Sequence, residues 1–323
     1  MQLSNSFQSF LDQIDSALFA TIDERFPLGL REPMRYVLQM PGKKVRPLMA
    51  LFSALAVGGR VEQALPAATA IELFHDFTLI HDDIMDEDEK RRGFSTVHVK
   101  YDEGTAILTG DLLIGIAYQE LMRSPEHAAT PITNIFTEAL IKVCEGQALD
   151  KEFENRSDVT SEEYIDMIGK KTAWLIMIAC SIGAICGGGT SDQVEALRSF
   201  GYDLGLGFQI QDDLLDFIAD EQKLGKQVGS DFRMDKKTYV ALKYMEVVQG
   251  DSTLAARYPS RPAGFNSFQG FQKALHELDL VKQVQHEADQ YIDRALKSLA
   301  SVQLLTDDNL LYQIALFLRK RQY

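Results

Sequence analysis

Residues 74–93, FHDFTLIHDDIMDEDEKRRG, constrain the chain more than any other stretch. Asp86 lies four residues after Asp82 and three after Asp83, so a helix places all three carboxylates on one face. Each like-charged pair at this spacing costs a helix about 0.2–0.5 kcal/mol. An apolar run precedes the aspartates, which indicates that this helix end is not freely solvated. A divalent cation relieves the repulsion, and Mg²⁺ binds one or two carboxylates together with phosphate oxygens and water.

A solvated acidic helix end is the alternative reading of a single motif, but the motif occurs twice. Residues 209–216 read QIQDDLLD, again after an apolar run. Two copies of DDxxD, each ending an apolar helical segment, favour metal binding over a solvated surface. The predicted metal ligands are Asp82, Asp83, Asp86, Asp212, Asp213 and Asp216.

Short basic motifs lie between and around the aspartates, at residues 43–46, 91–92 and 170–171 and at Lys226. Carboxylates that hold metal, opposed by lysine and arginine, are what two diphosphates in one pocket require. The metal neutralises one diphosphate, and the basic side chains bind the other.

In order and spacing these motifs resemble the trans-isoprenyl diphosphate synthase family, which includes the farnesyl and geranylgeranyl diphosphate synthases. The match runs from PGKKVRP, which begins at Pro41, to KKTY, which begins at Lys236. The resemblance implies an all-α fold, a single polyprenyl synthetase-like domain over residues 1–323. It is expected to be an isoprenoid synthase-type bundle of about ten long helices around a central active-site cavity. The sequence has no convincing alternating strand pattern, nucleotide-type glycine loop or long-period repeat.

The resemblance also implies roles for individual residues. Taken alone, His75 and Gln147 are typical of ordinary packed or helix-borne polar side chains, and only the family context gives them a role. The residues implied to bind isopentenyl diphosphate are Lys43, Arg46, His75 and Arg92. Those implied for the allylic diphosphate or its surroundings are Arg91, Gln147, Lys171, Thr172, Gln209 and Lys226, and Lys236 occupies a further family lysine position.

The implied reaction is head-to-tail prenyl transfer. The allylic diphosphate ionises because its departing pyrophosphate is stabilised by Mg²⁺, typically three ions in the family. Positioned cations that meet developing negative charge are usually the largest catalytic term. The double bond of isopentenyl diphosphate then attacks the allylic cation, a proton is lost, and no dedicated side-chain base is evident. The residues predicted to take part in catalysis are Asp82, Asp83, Asp86, Arg91, Lys171, Asp212 and Lys226.

The residues that precede the first motif are expected to limit product length. By the resemblance, the position five before the first aspartate, here Phe77, carries an aromatic side chain that stops chain growth. Thr78 lies one helical turn before Asp82, and Phe74 lies two turns before it. An aromatic at 77 with threonine at 78 resembles the geranylgeranyl synthases, so the expected product is geranylgeranyl diphosphate, with farnesyl diphosphate as the alternative.

Two other classes fit part of the pattern. A class I terpene cyclase also uses DDxxD on an all-α fold, but its second motif normally carries Asn, Ser or Glu ligands, and it needs no second diphosphate site. A non-catalytic partner subunit of a heteromeric synthase usually loses one aspartate motif, whereas this chain retains both.

The amino-acid composition limits the classes of molecule that the protein is expected to bind. The 323 residues carry a formal net charge of −14, which opposes nucleic acid or anionic membrane as a general partner. The N-terminus has no basic n-region, which predicts a cytoplasmic protein. Residues 172–191 are uncharged and about as long as a membrane span, but their four glycines favour a buried core helix over stable membrane insertion. The expected partners are isopentenyl diphosphate, a dimethylallyl, geranyl or farnesyl diphosphate, and a second copy of the chain in a homodimer.

Local patterns give further expectations. Pro27 and Pro33 are expected to interrupt the N-terminal helical region, and residues 124–131 and 250–270 are expected to be loops. The three cysteines are expected to be buried, reduced thiols.

Overall fold

The computed structural model describes residues 5–218, 229–304, 306 and 308–319. Most of these residues are helical and only four lie in strands, which confirms the all-α prediction. The first helices are α1 (Asn5–Ala20), α2 (Leu28–Leu38), α3 (Val45–Ala56), α4 (Val61–Met85), α5 (Val97–Lys100), α6 (Glu103–Leu121), α7 (Glu126–Asn155) and α8 (Ser161–Ile168). The later ones are α9 (Trp174–Cys186), α10 (Ser191–Ile218), α11 (Ser230–Arg233), α12 (Tyr239–Gly250), α13 (Ser252–Arg257), α14 (Phe268–Glu277), α15 (Leu280–Ser301) and α16 (Leu310–Arg319).

Four shorter elements complete the described secondary structure. A π-helical turn, Gly169–Ala173, joins α8 to α9, and a 3₁₀ turn spans Pro262–Gly264. The strands β1 (Lys90–Arg91) and β2 (Phe94–Ser95) pair antiparallel, with Lys90 opposite Ser95 and Arg91 opposite Phe94.

Several predicted breaks are wrong. Pro33 lies inside α2, and Pro131 lies inside α7, so the loop expected over residues 124–131 is confined to its first two residues. A proline near the start of a helix removes one backbone hydrogen bond and leaves the following turns intact. The connector expected over residues 250–270 contains α13 and the 3₁₀ turn.

The chain forms two compact units. The first comprises Met1–Thr137 and Ile178–Leu197, and the second comprises Glu138–Met177 and Arg198–Tyr323. Helices α7, α9 and α10 each run from one unit into the other. The single-domain prediction stays a prediction.

The first unit is built on α4. This helix packs against α3 and α6, and its first half is rich in buried alanine, which permits close contact between helices. Gly183 of α9 contributes to the same core, because a Cβ at this position would collide with the backbone of Ala50. The packing fixes α4 over its whole length and so fixes the aspartates at its C-terminal end.

The second unit is built on the C-terminal half of α10. Ile210, Leu214 and Phe217 recur at helical spacing and are buried in one apolar cluster with residues of α8, α12, α14 and α15. The cluster holds one face of α10 in the core, so the orientation of the second aspartate motif follows from this packing.

The apolar helix is buried, as predicted. The stretch Ser161–Cys186 is long and apolar enough to cross a membrane by composition, but 78% of its most apolar window is buried inside the protein. Cys180 and Cys186 lie in this buried helix, and burial raises the pKa of each thiol to about 12. The expectation for Cys144 is wrong, since this residue is exposed on α7.

Candidate active site

The first aspartate motif lies at the end of α4. The helix ends at Met85, and Asp86 caps it with its backbone N–H bonded to the carbonyl of Asp82 over 2.8 Å. Asp82 and Asp86 are half-buried, whereas Asp83 is only 4% exposed. The three carboxylates therefore have different surroundings, although they belong to one motif.

Arg91 binds the buried carboxylate of this motif. Its Nε donates to Oδ1 of Asp83 over 2.5 Å, and its Nη2 lies 3.7 Å from Oδ2 of Asp88. Burial raises the pKa of the Asp83 carboxyl, and the bond from Arg91 opposes this rise. Arg91 was predicted to bind the allylic diphosphate, and in this structure its guanidinium is paired with Asp83.

The hairpin β1–β2 positions the two arginines. Its turn consists of Arg92 at φ 52° and Gly93 at φ 86°, a pair of left-handed residues that suits the twist of a two-residue hairpin. Glycine adopts this conformation freely, whereas a side chain such as that of Arg92 rarely does. The conformation of the turn therefore fixes the position of Arg92.

The GKKVRP segment meets this turn. Arg92 Nη1 donates to the carbonyl of Pro41 over 2.9 Å, and Lys44 adopts φ 45° immediately before α3 begins. Lys44 forms an ion pair with Asp15 of α1, and Lys43 is exposed. Lys43, Lys44 and Arg92 therefore lie at one short segment at the start of α3, where the helix N-terminus also favours an anion.

Arg46 and His75 form a half-buried pair. Arg46 Nη1 lies 3.1 Å from Nε2 of His75. Burial and the neighbouring arginines, Arg46 first, hold the pKa of His75 well below 6.5, so the ring is neutral and its Nε2 accepts the bond. Arg46 Nε is buried without a hydrogen-bond partner in the described chain, a donor that an anionic ligand would satisfy.

Two acids near these cations were not predicted. Glu72 and Asp76 lie one turn apart on α4, and both are buried. Their charges interact with Lys44, Arg46 and Arg92. Two acids within an otherwise apolar stretch of a helix are the sequence signal for such a buried pair.

The predicted chain-length residues belong to an aromatic cluster. The ring centroids of Phe77 lie 6.1 Å from Phe74 and 4.8 Å from His81, and Phe74 in turn contacts Phe136 at 5.0 Å. Phe74 is fully buried, while Phe77 and Thr78 are half-buried. Phe74, Phe77 and Thr78 lie within three turns of Asp82 on α4, whereas Phe136 comes from α7. Their role in chain length stays a prediction.

In the second unit, Asp213 is held by three protein donors. The hydroxyl of Tyr164 donates to its Oδ2 over 2.6 Å, and the backbone N–H of Tyr239 donates to the same oxygen over 3.0 Å. Nε2 of Gln209 donates to Oδ1 over 2.9 Å, and Oε1 of Gln209 accepts from Thr172 over 3.1 Å. Burial raises the pKa of Asp213 to about 6 despite these bonds.

The other two aspartates of the second motif are more accessible. Asp212 is exposed, and Asp216 is half-buried and accepts the backbone N–H of Asp231 over 3.0 Å. Burial, with Asp216 nearby, raises the pKa of Asp231 to about 7. In both motifs the middle aspartate is therefore the buried one, and the outer two are the accessible ones.

Lys171 and Thr172 lie in the π-helical turn, a feature that often marks functional sites. Lys171 Nζ lies 2.6 Å from Oδ2 of Asp150, a partner that was not predicted. Gly146 of α7 allows this approach, since a Cβ there would lie 2.5 Å from the Lys171 backbone nitrogen. Gln147 is buried, and neither amide atom has a hydrogen-bond partner in the described chain.

Two predicted substrate-binding lysines remain, Lys236 and Lys226. Lys236 is exposed, and its charge lowers the pKa of Asp231. Lys226 lies outside the described residues.

No group of three His, Cys, Asp or Glu side chains in the described ranges is already arranged as a metal site. The donor chemistry nevertheless suits Mg²⁺, because each motif presents two accessible carboxylates and the ion takes its remaining ligands from phosphate and water.

A helical fold with two aspartate motifs, each accompanied by its own cations, is typical of the isoprenoid synthases. Residues 28–269 match the profile of the polyprenyl synthetase family, and the chain belongs to this family of trans-prenyltransferases. The prediction of family and enzyme class is confirmed.

Individual relatives agree with this assignment. The chain is 38% identical to a geranylgeranyl diphosphate synthase of Sulfolobus acidocaldarius over 94% of this chain and 93% of the relative. It is 43% identical to a short chain isoprenyl diphosphate synthase of Methanothermobacter thermautotrophicus over 76% of each protein. It is similar in structure to a geranylgeranyl pyrophosphate synthetase from Pyrococcus horikoshii, with a TM-score of 0.86, 36% identity and 98% coverage of both chains.

Proposed function

We propose that this prenyltransferase condenses isopentenyl diphosphate with an allylic diphosphate and that its product is geranylgeranyl diphosphate. The observation that carries the proposal is the pair of unsatisfied sites beside the predicted substrate residues. Arg46 Nε in the first unit and the Gln147 amide in the second are buried without partners in the described chain. Buried polar groups are rarely left unpaired, so each of the two indicates a ligand.

Magnesium is the metal that we infer. Asp82, Asp86, Asp212 and Asp216 are its proposed ligands, because they are the accessible carboxylates of the two motifs. The oxygens of Asp83 and Asp213 accept bonds from protein donors, which supports a positioning role for both beside the metal. When bound, Mg²⁺ neutralises charge on the departing diphosphate.

The residues of the chain would share the remaining work. Arg46 and Arg92, with Lys43, bind the diphosphate of isopentenyl diphosphate, and neutral His75 orients Arg46 by accepting its hydrogen bond. Lys171 adds positive charge near the leaving diphosphate, and Asp150 holds its ammonium group in place until the substrate binds. The aromatic cluster keeps water away from the hydrocarbon chain, which protects a carbocation from quenching.

Product length is proposed from the aromatic cluster beneath Asp82. Phe77 is held between Phe74 and His81 and so presents a fixed aromatic wall. The similarity of this chain to geranylgeranyl diphosphate synthases supports the same length. Farnesyl diphosphate is the alternative, and it would require growth to stop one isoprene unit earlier.

A chain-length assay tests the proposal. The purified protein is incubated with Mg²⁺, isopentenyl diphosphate and each allylic primer, and the dephosphorylated alcohols are sized by chromatography. A twenty-carbon alcohol from the fifteen-carbon primer is the expected result. A product that stops at fifteen carbons would keep the reaction and overturn the length. No condensation by a folded sample would overturn the reaction itself, and a cyclic hydrocarbon would point to a terpene cyclase.

We also infer a homodimer in the cytoplasm. Helix α6 exposes Ile107 and Leu108, and Met122 follows its end with 71% of its surface exposed, an apolar surface suited to a second copy. Sedimentation of the purified protein is expected to give twice the chain mass, and Leu108→Asp is expected to shift it toward monomer. A monomer at micromolar concentration would contradict the inference. Cell fractionation tests the location.

A further inference from the structure

Glu72 and Asp76 are two buried carboxylates for which the proposed reaction has no use. They are 4% and 8% exposed, and their spacing of four residues places them on one face of α4. Burying an ionised carboxylate without compensation is very costly, so the surroundings of the pair must explain it.

The compensation comes from the cations of the diphosphate site. The charges of Lys44, Arg46 and Arg92 each favour the ionised form of both acids. Lys44 is also paired with Asp15, so Arg46 and Arg92 are the cations that remain opposite the two acids, and their charges balance while no anion is bound. The acids therefore compensate these cations in the absence of substrate, and a diphosphate would compete with them for the same side chains.

The hydrogen bonding of the cluster is incomplete. Oε2 of Glu72 and Nε of Arg46 are both buried without a partner in the described chain. Asp76 lines a small pocket together with Arg92, Arg91 and Asp83. The cluster thus has an unpaired acceptor on an acid and an unpaired donor on a cation. This Glu72 oxygen can therefore gain a proton without first losing a hydrogen bond.

The charged groups around the pair come from several elements. The charged and titratable groups are Asp15 of α1, paired with Lys44; Lys44 and Arg46 at the start of α3; His75 and Asp83 of α4; and Arg91 and Arg92 of the hairpin. Apolar side chains close the remaining sides of the pocket, among them Val37, Met40, Leu79, Ile80 and Val97.

We propose that Glu72 and Asp76 form a proton-accepting pair that couples the binding of isopentenyl diphosphate at Arg46 and Arg92 to the uptake of a proton from solvent. This inference rests on the proposed function. The incoming diphosphate forms ion pairs with the arginines and adds negative charge beside the acids. One carboxylate then forms an O–H bond with a proton from the buffer, and nothing is oxidised or reduced.

The direction of the effect follows from linkage. Burial already raises the pKa of both acids, and the cations oppose the rise. An anion that neutralises those cations raises these pKa values further, so the complex binds more protons than the free enzyme. The KM for isopentenyl diphosphate must then increase with pH, by up to about tenfold per pH unit for one proton. Both acids are positioning residues, since they act through Arg46 and Arg92.

The first test compares the pH dependence of this KM in the wild type and in Asp76→Asn, from about pH 6 to about pH 9. The variant is expected to show a flatter profile and, at high pH, a KM several-fold below that of the wild type, with kcat changed less than KM. Asp192→Asn is the matched control, because Asp192 is an exposed carboxylate of the same unit. Equal profiles in Asp76→Asn and the wild type would overturn the proposal.

A second test needs no variant. Calorimetric titration of the wild type with isopentenyl diphosphate in two buffers of different ionisation enthalpy counts the protons taken up. At about pH 8 the free diphosphate is already ionised, so uptake reports on the protein. About one proton per site is expected. Binding without proton uptake would overturn the coupling and leave the proposed reaction intact, whereas absence of both binding and turnover would overturn the proposed function itself.

Discussion

The hydroxyl of Tyr164 donates a hydrogen bond to Oδ2 of Asp213 over 2.6 Å, and both side chains are buried. The tyrosine comes from α8 and the aspartate from α10, so the bond fixes the second aspartate motif to a neighbouring helix. Burial and the adjacent carboxylate raise the pKa of Tyr164 well above its usual value, which keeps the hydroxyl a donor.

Replacing Tyr164 with phenylalanine removes one of the three donors to Asp213. We expect the free energy of unfolding to fall by about 1.5–3 kcal/mol, as for other hydrogen bonds to a charged group. We expect kcat to fall by about tenfold or more, because the carboxylate beside the proposed metal ligands loses its fixed position. Chemical denaturation and steady-state kinetics measure the two effects.

Tyr239→Phe is the control for this substitution. Tyr239 bonds the same Asp213 oxygen through its backbone N–H, while its hydroxyl donates to Glu287. Tyr239→Phe removes the same hydroxyl group as Tyr164→Phe, but it leaves all three donors to Asp213 in place. The kcat of this variant should therefore remain near the wild-type value. A similar fall in kcat for both variants would contradict a specific role for the Tyr164 hydroxyl.

Sequence spacing identified what recurs along one helix. The spacing within the two DDxxD motifs is local and is displayed directly by the sequence, and the uncharged run at residues 172–191 indicates the buried helix α9. The all-α bundle followed from the resemblance to the family. Residues that act across the fold had no such signal. Asp150, Tyr164 and Tyr239 become relevant only because packing brings α7, α8 and α12 to the side chains of the motif and of Lys171. The buried state of Asp83 and Asp213 likewise depends on tertiary contacts.

The adjacent lysines of the π-helical turn provide a matched pair. Lys171 Nζ binds Asp150 with both side chains mostly buried, whereas Lys170 pairs with the exposed Asp166 four residues earlier. Lys171→Ala is expected to lower kcat/KM for the allylic substrate by about a hundredfold, the order expected for a lost charge on a leaving group. Lys170→Ala should change it less than about threefold, since exposed ion pairs contribute little. Equal effects would argue against a specific role for Lys171.

Gly146 is expected to tolerate no side chain. A Cβ at this position would lie 2.5 Å from the Lys171 nitrogen and 2.9 Å from its Cα, so the π-helical turn would have to move. Gly146→Ala should therefore lower the free energy of unfolding by about 1–3 kcal/mol. The melting temperature and kcat should both fall. Gly29→Ala is the control, because an added Cβ at this exposed position meets nothing within 4 Å. Unchanged activity in Gly146→Ala would show that the turn can shift without cost.

His75 should make the fold sensitive to acid. Its pKa lies well below 6.5 in the folded protein because of burial and the nearby arginines, so the unfolded chain binds more protons below pH 6.5. Above pH 6.5 this histidine does not reduce the free energy of unfolding. As the pH falls below 6.5, the free energy of unfolding decreases by at most about 1.4 kcal/mol per pH unit. His75→Gln should flatten this dependence in thermal melts. His286→Gln, at an exposed histidine of α15, is the control.

The last prediction concerns product length. Phe77 contacts Phe74 and His81 within the aromatic cluster and lies five residues before Asp82. Phe77→Ala removes this ring and should open space for at least one further isoprene unit, so the chain-length assay should give products longer than those of the wild type. Thr78→Phe adds an aromatic ring one turn before Asp82 and should shorten them. Because both substitutions lie on one helix turn, opposite shifts would identify this face of α4 as the limit of growth. If Phe77→Ala leaves the product distribution unchanged while the enzyme stays active, the length is set by other residues.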